Sequence, residues 1–513
     1  MENLPEIVNL NPAHIWIEPT TRCNTRCKYC LHWYDKFGED MPYEIYAKIR
    51  SHVLDHVKRA ELIGYGEPFI AQFFWEMFDD CVKRDIEIFT TTNGLPLLNE
   101  EILPKIVRNR IVICLSLDGA RKETAEFARP FIKLEQMIHL LELLKRYGEE
   151  AGREKRFSLR FNIVAMKNNI GDLPDMVRLG AKYGATEIFI MTLGAEEDRD
   201  LVRGQGLFDS PELVSKAFIK ALKLGLQYGV NVYVPGAFRT LILEGREKRK
   251  GLSGRLQYMR RMAILSFISL RKDGLKHSWE RAKKWFGPRD SFRINSCFMP
   301  WHDAYFAADS SVFPCCVMGQ KMGSMQTQDW PEIWNGSPYR NLRRTIHSWN
   351  PSMVCRYCGL SVGITGGDDK YYNKFFGKYR KEDVPLNSPA LVFEHGFYQL
   401  ENDPAGNPSH IWMGRKGRFS MPRPRGAEFL RIRIIPRSPQ NTLNSGFCII
   451  NSGAREYFDN TCEDLHFPLK QVRGDQLDVS LEMENEYQVG EDPRHLALPI
   501  KGIQFLFSTG VLK

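Results

Sequence analysis

The sequence predicts an α/β chain that opens as a partial (β/α)6 barrel, continues into a small cysteine-rich auxiliary domain and ends as a β-sandwich. Three observations predict it. Short apolar runs alternate with stretches of helical spacing over residues 13–191, the pattern of a parallel sheet with crossover helices. Cysteines gather twice, near residue 25 and again between residues 297 and 358. Beyond Pro389 the periodicity becomes two, with Pro, Gly and Asn between the runs, as in antiparallel all-β modules.

The first strand is the run His14-Ile-Trp-Ile-Glu-Pro, and the loop beyond it carries Cys23-Asn-Thr-Arg-Cys27-Lys-Tyr29-Cys30. Three thiolates on one short loop can hold three irons of a [4Fe–4S] cube and leave the fourth open. An open coordination position is what metal catalysis needs. The alternative is a zinc knuckle, with His32 within reach as a fourth ligand. The second strand, Ala60-Glu-Leu-Ile63, runs into Gly64-Tyr65-Gly66-Glu67-Pro68, where glycines admit close backbone approach and proline stiffens the turn. The third strand ends in Asn93-Gly94, and the fourth, Ile-Val-Ile-Cys-Leu, ends in Ser116 and Asp118. Arg160-Phe-Asn162-Ile-Val164 forms the fifth, and Val230-Asn-Val-Tyr-Val-Pro235 adds a further edge strand. Segments 43–57, 71–84, 133–147 and 172–183 carry apolar residues at helical spacing. Every motif falls at a strand's C-terminal end, where TIM-like barrels place their sites.

Together these motifs resemble those of the radical S-adenosylmethionine (radical SAM) enzymes. The resemblance implies that Cys23, Cys27 and Cys30 hold a cluster whose open iron chelates SAM. Reductive cleavage of SAM then yields a 5′-deoxyadenosyl radical that abstracts a hydrogen atom from the substrate. It further implies that Tyr29 meets the adenine and that the Gly64, Gly66, Glu67 and Pro68 turn holds the SAM amino group, although Tyr65 stands where the family has glycine. Ser116 and Asp118 would bond the ribose or carboxylate, Arg129 would pair with that carboxylate, and Asn162 would contact SAM. Read without the resemblance, Ser116 and Asp118 also fit turn chemistry, and Asn162 fits a polar barrel-interior residue bonded to a neighbour.

The second group comprises Cys297, Cys315, Cys316, Cys355 and Cys358, with the hairpin-like Asp303 to Cys315 run and Trp330-Pro-Glu-Ile-Trp334 between them. It resembles the auxiliary domain of the SPASM and twitch subfamilies. There the hairpin carries Asp-Gly, whereas Ser310 holds the glycine position here, so a turn of another type is expected. The resemblance makes Cys315 rather than Cys316 the ligand, and Cys297, Cys315, Cys355 and Cys358 saturate one auxiliary [4Fe–4S] cluster. Four thiols equally satisfy a structural zinc. Cys81, Cys114, Cys448 and Cys462 read as ordinary buried cysteines.

The chain's 513 residues suffice for two or three domains, drawn at 1–236, 237–294, 295–385 and 386–513, the second being an inserted segment. No signal peptide or bilayer-spanning run is read from it. Thiol-ligated clusters imply a reducing, cytoplasmic setting and a flavodoxin- or ferredoxin-like reductant. The net charge of +9 is concentrated in segment 239–293. That segment reads as a helical insertion packed on the barrel, or as a contact for an anionic membrane surface. Nucleic acid is not favoured, since no stacking platform accompanies the basic residues. The basic segment and the β-module motivate a glycan or lipid-linked sugar as substrate. Residues Asp492-Pro-Arg494 lie in a run that resembles β-modules of glycan-assembly proteins. A SPASM-type peptide maturase is the alternative, and a zinc-binding adaptor the alternative of another class.

Overall fold

The computed structural model describes residues 5–30, 38–193, 200–235, 238, 297–317, 319–358, 379–403, 408–436, 444–488 and 494–508. The basic segment 239–293, expected to be a barrel-packed insertion or a membrane-surface contact, and His32 lie outside the described residues.

Strands β1 (His14–Ile17), β2 (Arg59–Leu62), β3 (Glu87–Thr92), β4 (Ile111–Ser116), β5 (Ser158–Ala165), β6 (Ala185–Thr192) and β7 (Asn231–Tyr233) lie side by side in chain order, all parallel. Six units and an edge strand are thus present, as the alternation predicts. Helices Tyr43–His52, Phe74–Lys83, Leu134–Ala151 and Leu173–Tyr183 fill the predicted segments. Helix Pro211–Tyr228 precedes the edge strand. Ile15 and Ile17 join the core under the helices with Leu62, Ile88, Ile113 and Phe161. By strand alternation His14, Trp16 and Glu18 point to the opposite, inner face.

The cysteine-rich region is not a separate layer. Its strand β8 (Asp303–Phe306) pairs in parallel with β1, from His14↔Asp303 to Ile17↔Phe306. Antiparallel β9 (Ser311–Phe313) and β10 (Gly323–Ser324) follow, giving one ten-stranded sheet in the order β10-β9-β8-β1-β2-β3-β4-β5-β6-β7. The pairing covers an edge of β1 whose backbone groups would otherwise lack partners. Side chains cross the same seam. His14 bonds Asp303 Oδ1 and Glu61 Oε1, each at 3.1 Å, and Trp16 Nε1 donates to Glu61 Oε2 at 2.9 Å. Burial alone would lower the His14 pKa, but the hydrogen bonds to Asp303 and Glu61 outweigh it and hold it at about 9. The hairpin turn corrects one expectation. Ser310 sits at φ 71°, the left-handed conformation that glycine would adopt, so the turn keeps its geometry at a conformational cost.

Beyond residue 379, nine antiparallel strands form one sheet rather than the two of a simple sandwich. Strand Pro408–Pro422 pairs with Val392–Asn402, with Gln476–Met483 and with Leu498–Ser508, so the sheet bends back on itself. It encloses a single core containing Ile411, Phe419, Leu430, Leu465, Leu477 and Phe505. Strand Tyr379–Val384 pairs with Leu498–Ser508, so the module starts before residue 386. Bonds from Asn350, Met353 and Arg356 tie it to the cysteine-rich region.

Candidate active site

The three-cysteine loop follows β1 and is anchored from below. Lys28 N donates to Ala128 O at 2.9 Å, and Cys30 N to Cys27 O at 2.9 Å. Cys27 is buried, and Arg129 Nη1 lies 3.3 Å from its sulfur. Burial pushes the Cys27 thiol pKa up, and the guanidinium opposes that shift. Asn93 Nδ2 lies 4.0 Å from Cys23 Sγ and donates to Asn24 Oδ1 at 2.6 Å. Donors therefore surround the sulfurs on the barrel side, which suits thiolate ligands of a cluster.

Arg129 and Asp118, both expected to address SAM, are bonded to each other in this structure. Asp118 Oδ2 accepts from Arg129 Nε at 2.7 Å and from the Tyr29 hydroxyl at 2.9 Å, and its Oδ1 accepts from Val164 N at 2.8 Å. The Arg129 Nη2 also meets the Tyr29 hydroxyl. Both charges are buried, and buried charges need partners, so they take each other. The result is a brace from β4 and β5 to the cysteine loop. Tyr29 is part of that brace through its hydroxyl, while its ring packs beside Ala128, Val164 and Met166. Ser116, the last residue of β4, lies in register with Asn162, which sits within β5. Asn162 Nδ2 donates to Thr91 Oγ1 at 3.3 Å, and Arg160 Nε donates to Asn162 Oδ1 at 3.1 Å.

The turn after β2 lies against the same loop, with Glu67 N donating to Arg22 O at 2.9 Å. Both glycines are required by contact. A β-carbon on Gly64 would overlap the Glu18 side chain, and one on Gly66 would overlap the carbonyls of Thr20 and Arg22. The Glu67 carboxylate is again turned inward, accepting from Thr92 Oγ1 and Asn93 N, both at 2.7 Å. Burial raises its pKa to about 7 against those bonds. Its side chain fixes the turn from within, so it is the turn's backbone, not the Glu67 carboxylate, that is left to meet a ligand. Sequence reasoning missed Glu18. Buried at 3% exposure, it accepts from Tyr65 N at 2.8 Å through Oε1 and from Ala308 N at 3.1 Å through Oε2. One carboxylate thus joins the turn after β2 to the β8–β9 hairpin. The only signal in the sequence was a carboxylate on the inner phase of β1 just before the cysteines.

In the cysteine-rich region, Cys297, Cys315, Cys355 and Cys358 line one cavity of about 110 Å³ with Phe298, Met299, Pro300, Leu342 and Ile346. One water needs about 10–15 Å³ of such space, so the cavity has room for a polyatomic guest. Cys316 is not in the lining; it packs against Trp16, Tyr305 and Ala307. Burial pushes the Cys315 thiol up to about 12 and raises Cys297 and Cys355. Thiolates in such a pocket need a metal centre's positive charge, and four of them around an apolar cavity fit a fully ligated cube.

An open α/β barrel with three thiols at its first strand end, beside a four-thiol cavity, defines a cluster-dependent enzyme. Residues 17–180 match the radical SAM superfamily, and residues 297–359 match the SPASM iron–sulfur cluster-binding domain. These domains bind a [4Fe–4S] cluster with SAM and auxiliary iron–sulfur centres. Among curated relatives, the chain is 27% identical over 213 residues to the tungsten-containing aldehyde ferredoxin oxidoreductase cofactor-modifying protein of Pyrococcus furiosus, covering 40% of this chain and 59% of that protein. It is 28% identical over 180 residues to the mycofactocin maturase MftC of Mycobacterium ulcerans, covering 34% and 46%. The chain thus spans about half the length of these relatives. Among solved structures, it is similar to Streptococcus suis SuiB bound to S-adenosylmethionine, at 14% identity, TM-score 0.45 and coverage of 69% and 72%. Among the described residues no helix is long and apolar enough to cross a membrane.

Proposed function

We propose that this protein is a radical SAM maturase of the SPASM type, acting on a peptide or a peptide-derived cofactor precursor. The observation that carries the reading is the three-thiol loop and the four-thiol cavity built on neighbouring strands of one sheet. Relatives named as a maturase and a cofactor-modifying protein support this substrate class over the glycan or lipid-linked sugar.

In this reading Cys23, Cys27 and Cys30 hold the catalytic cluster, and Cys297, Cys315, Cys355 and Cys358 hold one auxiliary cluster. Bound there, cluster and SAM supply a one-electron reductive cleavage and a carbon radical that removes hydrogen from the substrate. The chain's own residues do the rest. Arg129, Asp118 and Tyr29 brace the loop and keep a positive charge beside Cys27. Glu67 and Glu18 pin the Gly64–Pro68 backbone where it can accept the SAM amino group. Ser116 at the end of β4 and Asn162 beside it within β5 present polar groups. A flavodoxin- or ferredoxin-like protein supplies the electron.

Anaerobically reconstituted protein should hold about eight irons per chain, from two cubes. Once reduced with SAM it should release 5′-deoxyadenosine, and a peptide substrate deuterated at the reacting carbon should pass deuterium into that product. Zinc in place of iron would reject the enzyme reading. Deuterium arriving only from a saccharide would reject the substrate class.

A further inference from the structure

We propose that the C-terminal sheet is the positioning element for the Cys355–Cys358 arm of the thiol cavity, an inference resting on the reading of those two cysteines as cluster ligands. The arm is weakly self-supporting. Its helix, Met353–Tyr357, has five residues and no side-chain cap from the preceding Ser352. An isolated helix that short does not persist in water.

The missing support comes from the C-terminal module. Thr461 Oγ1 accepts from Met353 N at 2.9 Å, capping the helix from another domain. Thr461 is itself fixed by Asp459 Oδ1, which accepts from its N–H at 2.9 Å and from its hydroxyl. Just before the arm, Asn350 pairs with the His466 backbone in both directions. Its Nδ2 donates to His466 O at 3.0 Å, and His466 N donates to its Oδ1 at 2.7 Å. Within the helix, Arg356 Nη1 donates to Asp464 O at 3.1 Å. Asn350, Thr461, Arg356 and His466 are all buried, so these bonds are shielded from water. All the partners lie in one short stretch, 459–466.

The other two thiols are held differently. Cys315 follows β9 in the barrel's own sheet, and His347 Nε2 bonds Cys297 O at 2.9 Å. The cavity is lined by the cysteine-rich region itself, with Cys355 also packed on the barrel core, and the C-terminal module holds the Asn350–Arg356 stretch from outside, setting the second pair of sulfurs against the first. This also gives the module a role that needs no ligand of its own.

The test compares full-length variants reconstituted anaerobically. Asn350→Ala removes the paired backbone contact, and Thr461→Val removes the cap at nearly constant shape. Outer-shell changes of this kind cost about 10–100-fold in metal affinity, so auxiliary iron should be lost to a chelator at least about tenfold faster. The electron paramagnetic resonance signal of the second reduced cluster should change, while the iron held by Cys23, Cys27 and Cys30 stays. Thr461→Ser should restore the wild-type rate. Unchanged chelation and spectra in Thr461→Val would overturn the proposal, also where Asn350→Ala fails to fold. A Cys355→Ala/Cys358→Ala variant separates the premises. If it still holds about eight irons, the ligand reading fails. If it falls to about four while Thr461→Val is unaffected, only the positioning role fails.

Discussion

Single carboxylates carry much of this site, and each of them faces inward. Glu18 accepts the backbone N–H groups of Tyr65 and Ala308. Glu18→Ala should cost about 1–3 kcal/mol per orphaned group, seen in denaturant unfolding, and should weaken SAM binding because the Gly64–Pro68 turn loses its tether. Arg129→Ala leaves the Asp118 carboxylate buried without its cation, at about 3–5 kcal/mol. The same logic gives a pH dependence at His14. With a folded pKa of about 9 against an ordinary 6.5, its contribution is fully present below about pH 6.5 and is lost as pH rises through about 9. His14→Gln should therefore flatten the fall in thermal stability across that window. An unchanged slope would show that the histidine is not the group responsible. None of these partners was legible in the sequence. Asp118 and Arg129 were visible as polar residues near a strand end, but a pairing across a fold cannot be read from two isolated letters.

At the scale of elements, local chemistry was legible and long-range pairing was not. The β4 run Ile-Val-Ile-Cys-Leu-Ser is buried almost throughout, as a central parallel strand must be, and the sequence shows it as an unbroken apolar stretch. The three-thiol loop and the glycine-bearing turn sit where motif spacing puts them. By contrast, β8 joins β1 across 289 positions, and period and propensity say nothing about which strand it seeks. The C-terminal all-β module was legible as such, but alternation reports one buried face and is silent on how hydrogen bonds link the nine strands. Ser310 marks a further limit, since a serine letter does not announce a positive φ. Relief there is testable: Ser310→Gly should raise stability by about 0.5–1 kcal/mol, the left-handed cost less glycine's entropy.

At the scale of the whole molecule, the described residues form two principal cores. One runs continuously from the barrel into the cysteine-rich region, taking in Val312, Trp330, Ile333 and Tyr339. The other is confined to the C-terminal sheet. Calorimetry of the metal-free protein should resolve two transitions, and Thr461→Val should shift the C-terminal one little while leaving the barrel transition in place. The joint between β1 and β8 has a mechanical consequence. Paired backbones neither hinge nor slide, for a one-residue slip would turn every inward side chain outward. The two halves cannot part like jaws around a guest, so whatever enters must come in over the rim where the strands end.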